Sequence, residues 1–207
     1  MKIIHPKKAI ITVLIFAFGR TSYSQSTFQN LDFENPILPL SVGFVSAANA
    51  FPGWTVYSAV VGYDTLSLGG PAVTLQDANG AIPILQGNYT AGLQPNYPGG
   101  DIRPAIGQVG TIPSTAQSVQ FYGNGNYTLT FGGQPIPLVV LASRPNYNIF
   151  GGSISAFDNQ TGELRIQGGG SLDNIFFSPQ AIPEPSTIGV FTFGALLLGW
   201  RFLCKRP

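Results

Sequence analysis

The chain of 207 residues carries ten lysines and arginines against nine acids, one histidine (His5) and one cysteine (Cys204). Its lysines and histidine all lie in the first eight or last three residues. Residues 25–182 therefore set Asp32, Glu34, Asp64, Asp77, Asp101, Asp158, Glu163 and Asp173 against Arg103, Arg144 and Arg165, a formal charge of −5. A segment without His, Lys or Cys excludes a Ser-His-Asp or Cys-His nucleophile, a Schiff-base lysine, a Walker phosphate loop and an ordinary zinc site. Three arginines among eight acids exclude a nucleic-acid footprint, and a lone cysteine excludes an intrachain disulfide.

The chain opens with Lys2, Lys7 and Lys8, the apolar run 9–18, and Ser22-Tyr23-Ser24. Positive charge, a short apolar core and small residues at the cleavage positions describe a secretory signal. Residues 1–24 are expected to form a signal helix that signal peptidase removes after Ser24. The core is too short for an ordinary membrane span of about 20 residues.

Residues 25–180 are long enough for one domain with its own core. No stretch shows a sustained helical period. Short strand-like runs occur instead at 28–34, 54–61, 72–76, 82–86, 117–122, 126–131, 136–142, 153–157, 162–167 and 171–178. Asn79-Gly80, Gly123-Asn124-Gly125, Gly132-Gly133 and Gly168-Gly169-Gly170 separate them as turns or bends. In 117–122, Val119 and Phe121 face one way while Ser118, Gln120 and Tyr122 face the other, the period of a half-buried strand. The spacing predicts an all-β domain, an antiparallel β-sandwich. The Pro- and Gly-rich stretch 92–105 is expected as a long loop. Gly87-Asn88-Tyr89-Thr90 and Gly125-Asn126-Tyr127-Thr128 repeat a turn-to-strand pattern and do not make a repeat protein.

Within this domain, Trp54 follows Phe51-Pro52-Gly53 into a strand and is expected in the core. Loop aromatics Tyr89, Tyr97 and Tyr147 are the better platforms for a sugar ring, with Asn88, Gln94, Asn96 and Asp101 near the first two in sequence as hydrogen-bonding partners. Asp77-Ala78-Asn79-Gly80 lacks the terminal Glu of a calcium loop and reads as a tight turn. Glu34 and Glu163 are the only glutamates before residue 184. They are the sole carboxylate pair of that type through which glycoside hydrolysis could run, and nothing in their spacing marks them as catalytic.

The tail begins Ile182-Pro183-Glu184-Pro185-Ser186, continues as an uncharged run 188–200 and closes with Arg201, Lys205 and Arg206. As a helix, 188–204 would reach about 25 Å, enough for a short span whose Arg201 snorkels. The terminal cations place the C-terminus in the cytoplasm and the domain outside. The prolines hold the segment before the span extended.

Proline-Glu-Pro, one short span (about 187–204) and a basic cluster, in this order, resemble the bacterial PEP-CTERM sorting signal over 181–207. The resemblance implies export, a pause in the inner membrane, and processing near Pro183-Glu184-Pro185 by an exosortase-type membrane enzyme. The product would reach the cell surface or extracellular matrix. The domain has its own resemblance. Asn30-Leu31-Asp32-Phe33-Glu34, Phe51-Pro52-Gly53-Trp54, Gly162-Glu163-Leu164-Arg165 and Leu172-Asp173-Asn174-Ile175 are similar in order to jelly rolls of the galactose-binding-like and carbohydrate-binding-module class. That implies first and last strands side by side, with Glu34 and Asp173 sharing a structural calcium. The expected activity is non-catalytic, binding or organising extracellular polysaccharide. A purely structural surface protein and a carboxylate-dependent glycoside hydrolase are the alternatives.

Overall fold

A computed structural model of the protein describes residues 27–66, 71–95 and 103–182. The signal segment 1–24 and the sorting residues Pro183, Glu184, Pro185, Arg201, Lys205 and Arg206 lie outside the described residues, as do Asn96, Tyr97 and Asp101.

The fold is all-β. In chain order the described elements are β1 (Gly43–Phe44), α1 (Ala47–Ala50), β2 (Thr55–Tyr57), β3 (Val60–Tyr63), β4 (Ala72–Gln76), β5 (Thr90–Gln94) and β6 (Ala105–Thr111). There follow β7 (Ser118–Gly123), β8 (Asn126–Phe131), β9 (Gln134–Ile136), β10 (Val139–Ser143), β11 (Asn148–Ser153), a 3-10 turn (Ser155–Phe157) and β12 (Thr161–Ser178). No described helix is long and apolar enough to cross a membrane.

β12 runs for 18 residues and joins two halves of one hydrogen-bonded network. Its first part, Thr161–Gly169, lies between β6 and β8. Its second part, from Gly170 on, lies between β5 and β7. One half thus runs β1-β3-β4-β5-β12-β7-β11-β10, and the other runs β2-β6-β12-β8-β9. The strand changes halves at Gly168-Gly169-Gly170, where Gly170 has φ +125° and a Cβ would come within 2.7 Å of the Gly125 Cα. Only glycine meets both demands.

Alternation along β12 sorts its side chains. Leu164, Ile166, Leu172 and Ile175 turn inward and are almost fully buried, while Glu163, Arg165 and Gln167 are only partly covered. The inward set joins Val73, Leu75, Ile106, Val119, Phe121 and Leu129 in a single core to which both halves contribute. Trp54 belongs to it, 6% exposed, with its indole N–H donated to the Asn30 carbonyl at 2.9 Å. Phe33, fully buried, packs against Phe51 and Trp54 at ring distances of 5.8 and 5.6 Å.

Several elements differ from the sequence-based expectation. The sheet is mixed, because β3 and β4 pair in parallel from Val60–Ala72 to Tyr63–Leu75. β3 therefore enters the sheet in the same direction as β4, and the two cannot form a simple hairpin. The run 28–34 is a turn, since Asn30 and Phe33 take left-handed φ of 48° and 58° and Asn30 Oδ1 accepts from Asn35 N–H. The run 54–61 divides into β2 and β3. The run 82–86 is irregular because the N–H groups of Ile82, Leu85 and Gln86 bond to the side chains of Gln76, Thr90 and Asp173. Pro137 lies between β9 and β10, residues 155–157 form the 3-10 turn, and 162–178 is one strand. The ends of the expected loop 92–105 belong to β5 and β6. The glycine content of β6 hid it: Gly107 and Gly110 leave the room that Glu163, Tyr57 and Phe28 occupy. Gly132-Gly133 is the two-residue β8–β9 hairpin, with φ +55° and +79°.

These two glycine settings predict different costs. Gly133 has open space around it, so Gly133→Ala should cost only backbone strain, about 1–2 kcal/mol. Gly170→Ala adds a backbone overlap and should cost roughly 3 kcal/mol. Urea denaturation of the full chain in detergent solution measures both; equal losses would show that the bend does not need the close approach of Gly125.

Candidate functional site

Two regions collect the polar side chains that the core leaves over. The first surrounds the loop that joins β4 to β5. The four-residue opening of that loop is an Asx turn: Asp77 Oδ1 accepts from Asn79 N–H at 2.7 Å, and Gly80 N–H donates to the Asp77 carbonyl at 3.1 Å. Tyr63 donates its hydroxyl to Asp77 Oδ2 at 2.7 Å, and Asp77 N–H donates to Asp64 Oδ1 at 2.8 Å. The Asn79 N–H and the Tyr63 hydroxyl hold the Asp77 carboxyl below its ordinary range, whereas burial raises that of Asp64.

The far end of the loop is held by Glu34 and Asp173. Glu34 Oε1 accepts from the N–H groups of Asn88 and Tyr89 at 2.7 and 3.1 Å, and Glu34 Oε2 accepts from Asn88 Nδ2 at 2.8 Å. Asp173 Oδ2 accepts from the Thr90 hydroxyl at 2.7 Å and Gln86 N–H at 3.1 Å; Oδ1 accepts from Asn174 N–H at 2.7 Å. Gly87, at φ +64°, lies against Glu34 where any Cβ would overlap Oε1. Both expected calcium ligands thus sit against the same loop, and the N–H of Ile175 reaches the Leu31 carbonyl at 2.9 Å to bring the two ends of the domain together. Every carboxylate oxygen of the pair already accepts a hydrogen bond. A cation between them would take oxygens now engaged by Gln86, Asn88, Tyr89, Thr90 and Asn174. Among the described residues no three acids, histidines or cysteines gather as a metal centre.

Asp173 is 1% exposed. Burial pushes its carboxyl up to about 7 and the charge of Glu34 adds to the rise, against hydrogen bonds from Thr90, Asn174 and Gln86 that pull it down.

The second region is the outward face of β2, β6, β12 and β8. Register brings Tyr57, Ala105, Gln167 and Thr128 into one row, and Thr55, Gly107, Arg165 and Thr130 into the next. Tyr57 leans over Gly107, where a Cβ would meet its ring at 3.2 Å and Glu163 Oε1 at 2.5 Å. With no side chain there, Tyr57 donates its hydroxyl to Glu163 Oε1 at 2.5 Å and carries the Arg165 guanidinium 4.0 Å from its ring centroid. Thr128, Thr130, Arg165 and Gln167 line a shallow groove of about 260 Å³. Gln167 Nε2 donates to the Arg103 carbonyl at 3.1 Å, which leaves its oxygen as an acceptor. The Arg165 Nε–H is buried and has no hydrogen-bond partner among the described residues.

The sequence reading did not single out this face. Its signal was present in the alternation Glu163, Arg165, Gln167, with the domain's three arginines reduced to one on a sheet face. The aromatics it did favour are engaged elsewhere. Tyr89 packs partly into the core, and Tyr147 stacks on Tyr122 at 4.6 Å. Glu34 and Glu163 serve separate hydrogen-bond systems, one on the β4–β5 loop and one on Tyr57.

The raised Asp173 carboxyl gives stability a pH dependence. Between about pH 4 and pH 7 the folded chain keeps a proton that the unfolded chain has released, so stability falls as pH rises through this window and levels off above it. Melting curves in chelator-treated buffer should show this fall for the native chain and a flatter profile for Asp173→Asn. Glu34→Gln removes a repelling charge and should move the fall to lower pH. Parallel profiles for native chain and Asp173→Asn would contradict the assignment.

Comparison of the chain with protein-family models, with curated proteins and with solved structures gives no match.

Proposed function

We propose that this chain is an exported, non-catalytic β-sandwich of jelly-roll type that binds or organises polysaccharide at the cell surface or in the extracellular matrix. The groove lined by Thr128, Thr130, Arg165 and Gln167 carries the reading. It is shallow and polar, offers both donors and acceptors, and is smaller than the ~300–1,000 Å³ of an enclosed small-molecule pocket. Those properties suit one residue of a polymer lying across a sheet better than a sequestered metabolite. A single core fed by both halves supports the sandwich, and the Ile175–Leu31 contact supports the jelly-roll arrangement of chain ends. The separate duties of Glu34 and Glu163 favour binding over hydrolysis.

Export rests on the two ends of the sequence. Signal peptidase would release residues 1–24. An exosortase-type enzyme would act at Pro183-Glu184-Pro185 while the segment 187–204 holds the protein in the inner membrane, with Arg201, Lys205 and Arg206 on the cytoplasmic side. Calcium shared by Glu34 and Asp173 is part of the same proposal. Its support is the repulsion Glu34 exerts on Asp173, which a divalent cation would relieve. It would also draw the proton from Asp173.

Protein recovered from the cell exterior tests the reading. Its intact mass should correspond to a start at Gln25 and an end near Pro183–Pro185, and on a glycan array it should retain at least one polysaccharide at millimolar concentration. Correct processing with no retained glycan would leave a structural surface protein; untrimmed chain confined to the cytosol would overturn export. For the metal, chelator should lower the melting temperature and added calcium should restore it, since a ligand at a hundredfold over its Kd stabilises by ~2.7 kcal/mol. An unchanged melting temperature would remove calcium from the account.

A further inference from the structure

The groove has a chemical bias that polysaccharide binding alone does not specify. Arg165 is the cation of its lining, and it makes no ion pair among the described residues. Glu163, two positions earlier on the same strand face, accepts the Tyr57 hydroxyl on Oε1 at 2.5 Å. Tyr57 supports the guanidinium from one side, its Cζ 4.0 Å from the ring centroid, which reduces the rotamer freedom of Arg165. The Nε–H is sealed from water with no acceptor. That atom is covered by the protein itself, so the terminal nitrogens of the guanidinium are the donors left for a ligand in the groove. A planar guanidinium of this kind matches a carboxylate through two parallel N–H···O bonds. Around it, the hydroxyls of Thr128 and Thr130 and the carboxamide oxygen of Gln167 match sugar hydroxyls rather than a second anion.

We infer that the groove on the outward face of β2, β6, β12 and β8 binds a uronic-acid residue of an acidic polysaccharide, with its carboxylate on Arg165 and its hydroxyls on Thr128, Thr130 and Gln167. This rests on the polysaccharide-binding reading and narrows it to a carboxylated sugar. The domain's surplus of acids makes the specificity local: its long-range charge does not favour a polyanion, so the acidic preference comes from the one guanidinium.

The test uses the full chain in detergent solution with two defined probes, an oligogalacturonate and its carboxyl-reduced neutral counterpart, in calcium-free buffer. Isothermal titration should give the oligogalacturonate roughly 10–100-fold tighter binding, the worth of a charge-assisted pair. Arg165→Gln should abolish that preference, while Arg144→Gln, an exposed arginine outside the groove, should retain it. Should Arg165→Gln lower the melting temperature, Thr130→Val provides the second probe of the same groove and should weaken both ligands alike. Equal binding of acidic and neutral probes, or an acidic preference that survives Arg165→Gln, overturns the uronate assignment and leaves polysaccharide binding intact. Failure of both probes, together with an empty glycan array, overturns both.

Discussion

The hydrogen bonding of β12 is the constraint on which the rest of this structure depends. A strand of 18 residues cannot stay in one flat sheet with neighbours on both sides and still enclose a core, so it bends at three consecutive glycines and finishes in a second set of partners. Its apolar residues before the bend, Leu164 and Ile166, and after it, Leu172 and Ile175, then face the same interior. Before the bend the alternate positions turn outward and become the face that carries Glu163, Arg165 and Gln167; after it, Asp173 is left almost fully buried beside the β4–β5 loop. One strand thus supplies side chains to both polar regions described above.

The two regions answer the same problem, surplus charge at a crowded place, in opposite ways. At the loop, carboxylates are surrounded by N–H and O–H donors, and their hydrogen bonds fix the backbone at Gln86, Asn88 and Tyr89. On the sheet face, the Arg165 guanidinium rests on an aromatic ring with its Nε–H unpaired among the described residues. The first arrangement is saturated from within the protein. The second leaves the buried Arg165 Nε–H without a partner among the described residues, beside the groove to which we assign binding.

Much of the all-β character was legible because strand signals are local. Alternation in 117–122, the run 72–76 and the paired glycines after Phe131 each depend on neighbours in sequence. What was not legible depended on partners far away. β6 contains Gly107 and Gly110, poor strand residues by propensity, kept in a strand because Tyr57, Glu163 and Phe28 need the space above them. The run 82–86 has strand-like composition, yet its N–H groups are claimed by Gln76, Thr90 and Asp173. The site divides along the same line. Glu34 and Asp173 could be matched as a pair from motifs at the two ends of the domain, while the groove could not be assembled, because its four lining residues come from β8 and β12 and lie 71 to 110 positions from the supporting ring of Tyr57 on β2.

The placement of β12 as the last strand has a mechanical meaning. Tension applied at Ser178 enters along β12 and is resisted by β5, β6, β7 and β8 together. Rows of hydrogen bonds pulled parallel to the strand must yield in concert and not one by one. A body with this connectivity gives way late and all at once, since neither half can peel off while the strand common to both remains seated.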